Sequence, residues 1–275
     1  IPRVFMGVTV GAALGVAGAL MQSLTRNPLA DPGILGVNAG ASLAVVASVA
    51  VIGMSSIDVY LWFAFLGAAV ASVAVYVLGS SGRQSATPAR LALAGVAISA
   101  ALQSFTEAVV LSDQTVFNEF RFWVSGSLEG RSYDILFAVL PFIVAGVILA
   151  AALAPSLNAL ALGVEKGRSL GVNVKRTQFL TMLAVTLLCG SATAAAGPIS
   201  FVGLAVPFIA RGLVGGDQRR VTVMSVLLGA AWMLFADVIA RTIVRPEEVQ
   251  VGIVAALLGA PFFVALVRRK KIEAL

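Results

Sequence analysis

Apolar stretches, most of them long enough to cross a lipid bilayer, recur along this chain, at approximately 4–23, 35–53, 59–79, 90–111, 135–153, 178–195, 200–214, 221–243 and 251–267. A helix needs about 20 residues to cross a hydrocarbon core of about 30 Å at about 1.5 Å per residue. In lipid every backbone N–H and C=O must be satisfied internally, which leaves helices or a closed barrel. The period-2 alternation of a barrel is absent. Only 12% of residues are charged and the mean hydropathy is +0.99. The chain is therefore read as an all-α transmembrane protein. It is a compact bundle of nine helices in one domain spanning 1–275, with no polar insert large enough to fold separately.

The nine segments are not alike. The seventh begins after Gly197-Pro198, carries Pro207, and soon meets Arg211 and Gly215-Gly216. This predicts a short or broken helix lining a cavity, where irregular backbone is tolerated. The first segment carries Gly7, Gly11 and Gly15 at four-residue spacing, followed by Ala19, and the second carries Gly36 and Gly40. Such ridges let another backbone approach closely.

Alternating the helices sorts the basic residues. Fourteen of the nineteen Lys and Arg fall on one side, while Arg3, Arg121, Arg131, Arg241 and Arg245 fall on the other. The first side is cytoplasmic by the positive-inside rule. The net charge of +6 is thus loop charge that sets orientation rather than a nucleic-acid footprint. Ile1 lies outside on this map, which implies a preceding helix.

Two connections are longer than turns. The outer one, 112–134, groups Phe120, Phe122, Trp123 and Tyr133 and is expected in the interface. The inner one, 154–177, places Leu157, Leu160, Ala161 and Val164 at helical spacing, with Ser156 as an N-cap and Gly163 as a stop. One or two short cytoplasmic helices are predicted there, suited to docking a partner. Between the first two helices sits a polar hinge containing Asn27, Pro28, Asp31, Pro32 and Gly33, which is more chemistry than a connector requires.

Chemistry within the membrane is sparse. Asp237 and Arg241 stand four apart and can pair along one face, or Asp237 can serve a path directly. Glu107 lies about one turn from the outer end of the fourth helix. The lone Cys189 is a small core residue, and there is no histidine. No Walker motif, metal-ligand spacing or nucleophile–base pair occurs. A secondary transporter would need a relay of buried carboxylates, and a membrane enzyme would need paired catalytic groups. Neither is found; if the chain pumps, the energy comes from another subunit.

The hinge from Arg26 to Val37, RNPLADPGILGV, resembles the signature of the FecCD family of ABC-importer permeases. Matching blocks follow in order at Arg90–Gly95 (RLALAG), Leu157–Leu170 (LNALALGVEKGRSL), Gly197–Pro207 (GPISFVGLAVP), Ala236–Arg241 (ADVIAR) and Gly252–Pro261 (GIVAALLGAP). The resemblance covers essentially the whole chain. It implies a multi-pass permease of the bacterial cytoplasmic membrane with a ten-helix fold, of which this sequence holds helices two to ten. It implies uptake of a ferric siderophore, with vitamin B12 or haem as the alternative. The implied partners are a second permease subunit (a copy or a paralogue), two ATPases and an extracytoplasmic binding protein. The chain itself holds no cofactor; ATP and Mg belong to the ATPases. By resemblance Asn27, Leu29 and Thr87 form a cytoplasmic gate, although the hydroxyl pair expected near Thr87 is not intact. Leu157, Asn158, Leu160, Leu162, Gly163, Glu165, Arg168 and Leu170 form the coupling loop to the ATPase. Arg3 and Arg241 dock the binding protein.

Overall fold

The computed structural model describes residues 1–53, 57–80, 88–244 and 246–268. They form α1 (Pro2–Thr25), a 3₁₀ turn (Pro32–Leu35), α2 (Val37–Ile52), α3 (Ile57–Ser80), α4 (Pro88–Ser112), α5 (Gln114–Val124), α6 (Tyr133–Ala161), α7 (Val164–Ser169), α8 (Val174–Ala196), α9 (Val202–Val214), α10 (Gln218–Thr242) and α11 (Val251–Val267). All nine expected apolar helices are present, and no strand occurs among the described residues. Six are long and apolar enough to cross a membrane; α2, α9 and α11 are shorter.

Small residues decide which helices sit in the middle. In α1 and α8, 78% of the spanning window is buried, against 11% in α4, so α1 and α8 are central and α4 is peripheral. A Cβ on Gly11 would lie 2.2 Å from the Gly229 carbonyl oxygen, and one on Gly15 2.6 Å from that of Ser225. The glycine ridge of α1 is therefore the surface on which α10 lies. Gly40 meets Gly67 of α3 in the same way, with a Cβ placed 2.3 Å from its carbonyl oxygen. Central α8 buries hydroxyls without lipid penalty because they bond back into their own helix. Thr181, Thr186 and Ser191 donate to the carbonyls of Thr177, Met182 and Leu187 at 2.7, 2.9 and 2.6 Å. Cys189 is buried here, as expected of a core residue.

Two helices start inside the bundle rather than at its surface. The Gly203 carbonyl would touch a Cβ on Gly18 at 1.8 Å. Gly18 lies seven residues before the end of α1, roughly 10 Å into the bundle at about 1.5 Å per residue. The start of α9 is thus at depth, as Gly197-Pro198 predicts. The start of α2 is also at depth: Pro32 packs on Gly203, and Asn38 accepts from Thr193 of α8 at 2.9 Å. Discontinuous helices of this kind bring backbone polar groups to the membrane interior.

One expectation needs correction. The stretch around Ser156 is not the start of a separate helix. α6 runs unbroken through Pro155 to Ala161, because Leu153, Ala154, Leu157 and Leu160 continue one buried stripe that outweighs the local cap signal. The outer connection contains a helix of its own, α5. Asp113 caps it by accepting from Thr115 and Val116, and Val116 and Trp123 are its buried residues.

Candidate functional site

The hinge after α1 divides into an exposed turn and an inserted segment. Arg26 takes a left-handed conformation, φ 51°, and ends α1 with its N–H on the Gln22 carbonyl. Asn27 follows and stays exposed, with its side-chain oxygen accepting from the Leu29 N–H at 2.9 Å. This Asx turn holds Leu29 half-buried. Asp31 then caps the 3₁₀ turn by accepting from Gly33 N–H at 2.8 Å. Gly36, φ 70°, redirects the chain into α2. The segment is clasped by two helices. Ile34 presses its carbonyl on Gly95 of α4, and Pro32 meets Gly203 of α9. The proposed gate residues Asn27 and Leu29 therefore sit at the exposed lip of a deeply anchored loop. Thr87 lies outside the described residues.

The inner connection turns at Gly163, φ 119°, whose carbonyl starts α7 by accepting from Gly167 N–H at 2.8 Å. The residues expected to couple to an ATPase split into two groups. Leu157 and Leu160 are buried, and Leu160 packs over Gly167 to hold α7 against α6. Leu162 and Leu170 are 61% and 64% exposed, and Glu165 and Arg168 are exposed beside them. Leu160 is thus a strut, and the surface available to a partner is Leu162, α7 and Leu170. Asn158 does something else again. Its side-chain nitrogen donates to Asp217 at 2.9 Å and its oxygen accepts from Gln218 N–H at 2.8 Å, so it ties the end of α6 to the start of α10. That bond, followed by the Arg219 N–H, holds the Asp217 carboxyl below its ordinary range.

At the opposite end, Asp237 is 1% exposed and joins two arginines. Arg3 Nε donates to its Oδ1 at 2.7 Å, and Arg241 Nη2 faces its Oδ2 at 3.1 Å without hydrogen-bond alignment. Arg3 also donates to Glu248 at 2.6 Å. Spacing within one helix gives the Asp237–Arg241 pair, whereas the contacts to Arg3 and Glu248 join residues more than 230 positions apart. Both proposed docking arginines are therefore engaged within the chain. Glu107 is exposed on α4, apart from this network.

Asp237→Ala strands two arginines that remain 21% and 40% exposed. We expect a loss of about 3 kcal/mol, the lower end for breaking a buried pair. Thermal unfolding in detergent reads it. The double variant with Arg3→Ala should lose clearly less than the two single losses added; strict additivity would refute the network.

Comparison with known proteins bears on the fold and the family. The model of the FecCD transport family matches residues 1–269. The chain is 50% identical over 271 residues to the ferric enterobactin transport system permease protein FepD of Escherichia coli, covering 98% of this chain and 80% of that protein. It is 44% identical over 269 residues to the Fe(3+)-citrate import system permease protein YfmD of Bacillus subtilis, again 98% and 80%. A solved structure described as an inward-facing conformation of a metal-chelate type ABC transporter superposes with a TM-score of 0.89 at 26% identity, covering 98% of this chain and 86% of that one. With a match that runs from the α1 ridge to the last helix, this chain belongs to the FecCD transport family.

Proposed function

We propose that the chain is the permease subunit of an ATP-driven importer that moves a ferric siderophore across the bacterial cytoplasmic membrane by alternating access. The observation that carries this reading is the 50% identity to a ferric enterobactin permease over 98% of the chain. The fold adds a means of coupling. A short helix, α7, stands at the basic end of the bundle, hinged at Gly163 and flanked by exposed Leu162 and Leu170. Two ATPase subunits, which bind ATP and Mg, dock there. Their closure pushes α7, and the buried Leu160 strut passes the push to α6.

A second permease subunit packs on α4. Its exposed surface includes Leu93, Val96, Phe105 and Leu111, and also Glu107. A carboxylate turned to lipid is costly, which favours a protein partner over acyl chains there. The binding protein docks at the outer end, where its acidic side chains exchange with Asp237 and Glu248 for Arg3 and Arg241. The inner gate is Asn27 and Leu29.

Reconstitution in liposomes with the two ATPases and the binding protein tests the assignment. ATP-dependent uptake of a ferric siderophore is expected; uptake of cobalamin or haem in its place would refute the substrate. For the gate, Asn27→Cys should crosslink between two permease subunits in at least one nucleotide state. No crosslink in any state removes Asn27 from the gate.

A further inference from the structure

Between the inner ends of α1, α6, α9 and α10 lies a cavity of about 230 Å³. Its wall includes Ser23, Arg26, Asn158, Arg211, Gly216 and Gln218. That volume corresponds to several waters at about 30 Å³ each, or to one tetrahedral anion with room to spare. The wall carries two guanidinium groups and no acidic residue. The nearest carboxylate bonded to it, Asp217, is turned to the Asn158 side chain and the Arg219 N–H.

Two buried donors are left over, beside the half-buried Arg26. Gln218 is 1% exposed; its Oε1 accepts from Ser23 Oγ at 2.6 Å, while its Nε2 has no partner among the described residues. Arg211 spends Nη2 on the Ala19 carbonyl and on Ser23 Oγ, at 3.3 and 3.0 Å, and its buried Nε has no partner among the described residues. Arg26 has no ion-pair partner among the described residues. Buried polar atoms of this kind are normally satisfied, so each unpaired one asks for a missing acceptor. Arg26 also stands at φ 51°, in the left-handed region, where a helix end ordinarily has glycine. An arginine there bears a strain that glycine would not.

We propose that this cavity is a phosphate-binding site at the cytoplasmic surface, formed by Arg26, Arg211 and Gln218. The shared chemistry is a phosphate group, whether of free phosphate or of an anionic phospholipid head. Two guanidinium forks and an amide N–H match its oxygens with charge-assisted bonds. The site bridges four helix ends. One of them is α6, whose terminus carries the coupling turn, so an occupied site stiffens the element that receives the push from α7.

Thermal unfolding of the purified protein tests this in two arms. One titrates inorganic phosphate in a neutral detergent. The other adds phosphatidylglycerol to the same micelles with no inorganic phosphate. A saturable rise of roughly 3–6 °C is expected at about tenfold over half-saturation. A rise with inorganic phosphate alone identifies a free anion, and a rise with phosphatidylglycerol identifies the lipid head. Arg26→Gly separates binding from folding. It relieves the left-handed strain, so the unliganded protein should melt higher than wild type. It also removes one fork, so half-saturation should move at least tenfold upward. Arg26→Gln with Arg211→Gln should abolish the response, and Arg219→Gln, an exposed change on the same face, should keep it. The proposal is overturned if neither arm gives a rise, if chloride at equal ionic strength gives the same rise, or if Arg26→Gly responds as wild type does.

Discussion

Gly95→Val is expected to yield little or no folded protein. A Cβ at Gly95 would stand 1.7 Å from the Ile34 carbonyl oxygen. That oxygen cannot retreat: Ile34 N–H is held by Asp31, and Gly36 two residues on starts α2 by accepting from Gly40 N–H at 2.8 Å. The clash must expel either α4 or the inserted 31–36 segment. Overpacking usually costs about 1–3 kcal/mol and more where backbone meets backbone, so a loss beyond 3 kcal/mol is expected. Gly212→Ala is the control, because a Cβ there meets nothing within 4 Å. It should match or slightly exceed wild type, since alanine favours helix over glycine. Monodisperse yield and melting temperature in detergent read both variants. A Gly95→Val protein with wild-type yield and melting would show that the inserted segment is not locked against α4.

Leu162→Asp combined with Leu170→Asp should separate the permease from its ATPases and leave the bundle intact. Both side chains are more than 60% exposed, so removing them leaves no cavity in the fold. Burying a leucine side chain fully is worth about 1.5–3 kcal/mol. Loss of both should weaken association at least 100-fold. Co-purification of the ATPases measures it, with melting temperature confirming the fold. Stoichiometric ATPase retained on the double variant would refute the docking role of this turn. The choice of residues matters. Leu160 is equally apolar and lies in the same stretch, but it is buried against Gly167, so its replacement reports on packing rather than on docking.

The contrast between Leu160 and Leu162 shows where the sequence stops being readable. Helical spacing marks Leu157, Leu160 and Val164 as one face, yet spacing does not say whether that face meets the same chain or another. The Ser156 cap signal is local and real, and it loses to a buried stripe that continues from Leu153. Asp237 and Arg241 are legible because they are four apart in one helix. Arg3 reaches that carboxylate from the other end of the chain and also donates to Glu248, and no local pattern carries that. The Asn27 hinge is conspicuous by composition; its division into an exposed lip and an inserted segment depends on Gly95 and Gly203, far away in sequence.

Hydropathy by itself determined the solvent and the number of apolar helices. These follow from transfer energies paid residue by residue, which are local and therefore written along the chain. The tertiary structure alone decided depth and partnership. It sets α2 and α9 starting inside the bundle, the glycine contacts that allow backbones to touch, and the convergence of Arg26, Arg211 and Gln218 on one cavity. Those outcomes depend on which helix ends meet, and that is fixed by packing between surfaces distant in sequence.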